Sequence, residues 1–192
     1  MNPAHLVLAL FFLVLSAMPV LAQQQTEALL LVARPQIRGS MFTESVVLVT
    51  RHGRSRPMGV ILNKPSDIRF GGQEDNGTAA RQLNLGGPVS PQTLVYVFRD
   101  ESSIEGRPDL LRLGSGLYMG MGEAAMMALL KQQSAVSLRA FAGISSWAHG
   151  QLESEISRGD WLVLPFDAEA VMQTDTGSLW KDLIARASQR RI

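Results

Sequence analysis

Apolar residues run from Leu6 to Ala17, broken only by Ser16, and the run carries no charge. That length suits the apolar stretch of an export signal better than a bilayer span, which takes about 20 residues. Pro19 breaks the chain after it, Val20-Leu21-Ala22 supplies the small-x-small pattern that a signal peptidase cuts, and polar Gln23–Thr26 follows. The expectation is a cleaved leader over residues 1–22, with retention as a membrane anchor or a misassigned start codon ahead of a buried strand as the alternatives, and a single domain over residues 23–192.

The pattern then shortens. Ala28–Ala33 is a continuous apolar run stopped by Arg34-Pro35, which predicts a buried strand. Ser45–Thr50 is β-branched, and Met58–Leu62 answers it across the polar Arg51–Pro57 turn as the second arm of a hairpin. Asn63-Lys64-Pro65 ends that arm, because proline cannot donate to a ladder. The Gly- and Asp-rich Ser66–Ala80 reads as a mobile surface loop, Gly86-Gly87-Pro88 as a tight turn and Leu94–Phe98 as a strand. Asp100–Pro108 reads as a loop, and Leu110–Leu113 and Leu117–Met119 as short strands.

Glu123–Gln133 carries a broad apolar face in Met126, Met127, Leu129 and Leu130, which predicts a helix. Val136–Ala142 is a strand and Gly143–Gly150 a loop containing Trp147. In Gln151–Arg158, Leu152 and Ile156 stand four apart on one helical face, and Gly159 caps it. Trp161–Leu164 is a strand, and Gly177–Ser188 a helix with Asp175 or Thr176 as N-cap. Strands fill the first half and helices enter late. That order predicts an α+β fold in one domain.

Composition removes several function classes. All 18 basic and 17 acidic residues lie beyond the leader, so the net +1 gives no field for nucleic acid or anionic lipid. Cysteine is absent, which excludes disulfides, thiolate catalysis and Cys-ligated metal.

Two histidines follow the leader, His52 and His149. His149 and Glu153 are four apart and would share a face if the helix began at His149, as an acid/base pair or two metal ligands. A metal needs third and fourth ligands, and none stands nearby; no metal and no cofactor are expected. Ser145-Ser146 beside His149 invites a serine-hydrolase reading, but Gly143-Ile144-Ser145-Ser146-Trp147 does not fit the G-x-S-x-G elbow. The glycines of Gly114–Gly122 match neither a P-loop nor a complete dinucleotide fingerprint. Arg51, Arg54 and Arg56 stand on the hairpin tip, where they suit phosphate or an acidic partner, or simply solvent.

Several segments taken together resemble the bacterial YqgE/AlgH family. Leu30-Leu31-Val32-Ala33-Arg34-Pro35 with Phe42 and Ser45-Val46-Val47-Leu48 is similar to its opening block. Met58 to Pro65 is similar to its "GxVxNRP" block, and Gly86-Gly87-Pro88-Val89 to "GGPV". Gly143 through Trp161 is similar to "GYAGWGPGQLExEIxxGxW", with Trp147, Gly150-Gln151-Leu152-Glu153, Glu155 and Trp161 in place. Ile144, Ser146, Ala148 and His149 depart from that last block. The resemblance implies an α+β fold with a bifurcated, partly barrel-like, mostly antiparallel sheet flanked by helices. It implies no established enzyme activity; the family's name comes from a proposed role in regulating alginate production. Typical members are cytoplasmic, so the leader would make this chain an exported variant, out of reach of the chromosome.

The resulting expectation is a non-catalytic periplasmic or secreted protein, regulatory in role, that binds a protein or small ligand in the envelope. It involves no nucleic acid, and no membrane span after cleavage. The candidate binding residues are Arg51, Arg54, Arg56, Asn63, Trp147, His149, Gln151 and Glu153. The alternative is a hydrolase using His149 and Glu153 with Ser145 or Ser146.

Overall fold

A computed structural model describes residues 26–52, 55–70, 80–100, 109–132 and 137–189. The expected leader, Arg54, and most of the loop expected after Asp100 lie outside them. Ten strands and four helices follow in the order β1 (Thr26–Ala33), β2 (Val46–His52), β3 (Met58–Ile61), β4 (Pro65–Phe70), β5 (Arg81–Leu85), β6 (Val89–Arg99), β7 (Leu111–Gly114), β8 (Leu117–Met121), α1 (Glu123–Gln132), β9 (Leu138–Ser146), α2 (Gln151–Ser157), β10 (Trp161–Pro165), α3 (Ala168–Met172) and α4 (Leu179–Gln189).

The strands form one sheet in the order β10-β1-β2-β3-β9-β6-β8-β7, with β5 on β9 and β4 on β5. Every pairing is antiparallel except that of β5 with β9. The sheet curls until β1 lies against β7, making a half-barrel. It also forks. One edge of β9 carries β6, while β3 takes the other edge at Ser145 and Ser146 and β5 takes it at Ala140 to Ala142. Gly86 stitches the branch point, accepting from Ile61 N at 2.9 Å and donating to Ala142 O at 2.7 Å. Backbones pass so closely there that a Cβ on Gly87 would sit 2.3 Å from Ile144 O. On the facing strand, Gly143 has φ +76°, and its Cβ would meet Gly87 O at 2.5 Å. The family-like glycine block is thus the fork itself.

Alternation along β1 and β2 explains their unbroken apolar runs. Leu30, Val32, Val46 and Leu48 fill the inside of the curl, with α3 and α4 packed on through Val171, Leu179 and Leu183. Leu31, Ala33, Val47 and Val49 point the other way, under Leu152 of α2 and the rings of Trp147 and Trp161. Both faces of these strands are covered, so no polar alternation is needed. A third cluster joins Tyr96, Phe98 and Tyr118 to Met126 of α1.

The α+β expectation holds, and so does the forked, barrel-like sheet. Some local expectations are corrected. Ser66–Phe70 belongs to strand β4, not to a loop. Among the described residues β4 pairs only with β5, and it exposes Asp67, Ile68 and Arg69, so its polarity marks an edge strand with Pro65 at its first position. Residues 71–79 of that expected loop lie outside the described ones. β5 escaped notice because its sequence, RQLNL, buries only Leu83 and Asn84. The expected loop from Gly143 begins only after Ser146, because β9 runs through the kink at Gly143. The five-residue α3, capped by Asp167, was not anticipated. α4 opens at Leu179 rather than Gly177; ahead of it the Asp175 carboxylate accepts from Gly177 N at 3.3 Å. Among the described residues, no helix is long and apolar enough to cross a membrane.

Candidate functional site

Leu152 is the buried side of α2, so the helix lies on the sheet with Glu153 and Ser154 turned to solvent. Below it, Trp147 at the end of β9 and Trp161 at the start of β10 meet edge to face, centroids 6.4 Å apart. Phe42 meets Trp161 in the same way at 5.7 Å. Buried indoles need acceptors for their N–H groups. Both find the same atom: Trp147 Nε1 and Trp161 Nε1 each donate to Glu155 Oε2 at 2.9 Å. Gln151 Nε2 donates to the second oxygen, Oε1, at 2.9 Å, and Gln151 Oε1 accepts from Ala148 N at 3.0 Å. One carboxylate therefore clasps the end of β9 and the start of β10 to the helix between them.

Above this clasp the structure brings two expected site residues together. Arg51 on β2 donates to the Glu153 carboxylate of α2. That hydrogen bond holds the Glu153 carboxyl below the usual carboxylate range, helped by a backbone hydrogen bond and by the charges of Arg51 and His149. Arg56 and His149 are exposed. His149 precedes α2, which begins at Gln151, so the expected shared helical face with Glu153 does not form.

Two other expected residues are occupied in holding the fold. Asn63 Oδ1 accepts from Val46 N at 2.8 Å, and its Nδ2 donates to Glu44 O at 2.8 Å. Lys64 Nζ adds a bond to Thr43 O at 2.8 Å, so the two side chains fasten the turn into β2. Trp147 is 4% exposed and presents no free ring face. Ser145 is fully buried, and its Oγ donates to Gly86 O at 3.0 Å. Ser146 is exposed, and among the described residues neither serine hydrogen-bonds His149. No group of three or more His, Cys, Asp and Glu among those residues is placed to hold a metal.

Sequence reasoning missed two residues. Glu155 stands in the family-like block, which gives it no role by itself. Arg139 is a lone charge inside an apolar strand, which was the available signal. It is 4% exposed, and burial pulls its pKa well below the ordinary guanidinium range, to about 10. Its guanidinium donates to Val171 O at 2.7 Å, to Leu62 O, and to Asn84 Oδ1 at 3.4 Å, and lies 5.2 Å from the Phe141 ring centroid.

Comparison with known proteins agrees with this architecture. A family model described as AlgH-like matches residues 30–191. A UPF0301 protein of Stenotrophomonas maltophilia is 32% identical over 165 residues, covering 82% of this chain and 86% of the relative. One from Myxococcus xanthus is 34% identical over 158 residues, covering 79% and 84%. Among solved structures, a protein from Corynebacterium diphtheriae superposes with TM-score 0.66 at 30% identity, over 84% of this chain and 86% of that one. The solution structure of AlgH from Pseudomonas aeruginosa shares the fold, with TM-score 0.62 at 23% identity over 86% and 88%.

Proposed function

The chain belongs to the AlgH-like family, and from that premise we propose that it is a non-catalytic binding protein of the cell envelope. Its working surface is the β2–β3 hairpin end with the outer side of α2, carrying Arg51, Arg56, His149 and Glu153. The observation that carries this reading is the Glu155 clasp with the Arg51–Glu153 pair above it. Three anchors hold a short helix in register with a hairpin, so its exposed polar side chains stand in fixed positions without ordering cost on binding. Of the two serines offered as a nucleophile, Ser145 is fully buried with its hydroxyl spent on Gly86 O.

The envelope assignment rests on the leader pattern of Leu6–Ala22. Two measurements test the reading. N-terminal sequencing of protein from fractionated cells is expected to start near Gln23, in the periplasmic or secreted fraction; an intact leader on a cytosolic protein would sink the envelope assignment. Photo-crosslinkers at Arg51 and Arg56 in intact cells are expected to trap a discrete partner, and an empty lane at both positions would refute the proposed surface.

A further inference from the structure

A groove of about 770 Å³ runs between α3 and α4, with Ala170, Leu179 and Leu183 as its apolar floor. Four carboxylates line it, from Asp167, Glu169, Asp175 and Asp182. Two are neutralised within the fold: Arg186 lies 3.1 Å from Asp167, and Arg99 lies 2.7 Å from Glu169. The others are not. Asp175 accepts from Gly177 N at 3.3 Å and Asp182 from Ser178 Oγ at 2.7 Å, and among the described residues neither meets a cation. The groove therefore keeps two uncompensated negative charges above an apolar floor.

A second opening adjoins it. This cleft of about 110 Å³ shares Asp167, Leu183 and Arg186 with the groove and is otherwise walled by Leu30, Leu164, Pro165 and Ala187. A dry apolar cavity of roughly 150 Å³ accepts a benzene ring, so this one is sized for a single aliphatic side chain.

We propose that groove and cleft together dock a short basic peptide segment. One apolar side chain would enter the cleft, and lysine or arginine side chains would cross the floor to reach Asp175 and Asp182. Long basic side chains suit such a site, because their aliphatic stems cover apolar surface while the charged ends stay in water. An anionic ligand would be repelled, and a neutral one would leave both carboxylates unused. This surface shares no residue with the hairpin and α2 surface, so either can fail alone.

A fluorescein-labelled hexapeptide, Lys-Leu-Lys-Ser-Leu-Lys, tests it by anisotropy, with amide chemical shifts mapping the site. A counterpart with glutamate for lysine should not bind. The D175N/D182N double variant, changed only at exposed positions, should weaken the basic peptide about tenfold, as expected for losing two exposed ion pairs. Ala187→Phe, which fills the cleft, should weaken it too, whereas Asp67→Asn on β4 should not. If Ala187→Phe loses its native melting temperature, the aspartate pair decides alone. Undiminished binding to D175N/D182N, equal weakening by Asp67→Asn, shifts clustered outside α3 and α4, or no binding of the basic peptide would each overturn the proposal.

Discussion

The Arg139 guanidinium donates to two main-chain carbonyls and one side-chain amide, and each acceptor comes from a different part of the chain: the end of β3, β5 and α3. Truncating such a group leaves those oxygens buried without donors, at about 1–3 kcal/mol for an unsatisfied group. Arg139→Met should therefore lower stability by about 3 kcal/mol, read from the urea midpoint; a loss below about 0.5 kcal/mol would show that the acceptors find other donors. Glu155 makes the reverse arrangement, one acceptor serving three donors. In Glu155→Gln an amide N–H₂ replaces one of the two oxygens, so a donor faces a donor. The expected cost is about 1–3 kcal/mol with a shift in tryptophan emission, and an unchanged spectrum and midpoint would refute the clasp. Neither role was legible in the sequence, although both residues stand in plain view there. A carboxylate that serves two indoles is recognisable only once β9 and β10 are side by side. The tryptophans were half legible: rings that large favour the interior, yet Trp147 stood among the candidate binding residues and is buried.

α3 is five residues long and depends on its first turn. The Asp167 side chain accepts from Glu169 N at 3.2 Å, from Ala170 N at 3.1 Å and from Arg186 of α4 at 3.1 Å. Burial pushes the Asp167 carboxyl up, but the Ala170 N–H, the Arg186 guanidinium and the Glu169 N–H outweigh it and hold the carboxyl below its ordinary range. A carboxyl lowered in the native state adds stability above its unfolded pKa of about 3.9 and loses it as pH falls through the native value. Asp167→Ala should cost about 1 kcal/mol at pH 7, with the gap to the unaltered protein narrowing below pH 4. A pH-independent gap would mean that the cap acts without its charge. At this scale the apolar strands were readable, because their two-sided burial leaves a continuous apolar signature. β4 and α3 were not, since an edge strand and a one-turn helix owe their existence to neighbours.

At the scale of the whole molecule, the fork makes β9 common to both branches of the sheet. Tryptophan fluorescence reports the α2 side through Trp147 and Trp161, plus Trp180, whose Nε1 donates to Ala33 O at 2.6 Å. Far-ultraviolet circular dichroism reports every strand. The two urea transitions should coincide, because neither branch keeps its partner when β9 leaves; separated midpoints would show two independent units. The order in which the chain is synthesised adds a further consequence. β3, β5 and β6 all attach to a strand that begins only at Leu138, and β1 finds its outer neighbour only in β10. Asn84 and Ala140, bonded across 56 positions, are typical of this delay. Contacts so distant along the chain form late and slowly. While the ribosome is still making the last third, the nascent polypeptide has no completed sheet to close, so the final segments to emerge decide when the sheet can shut.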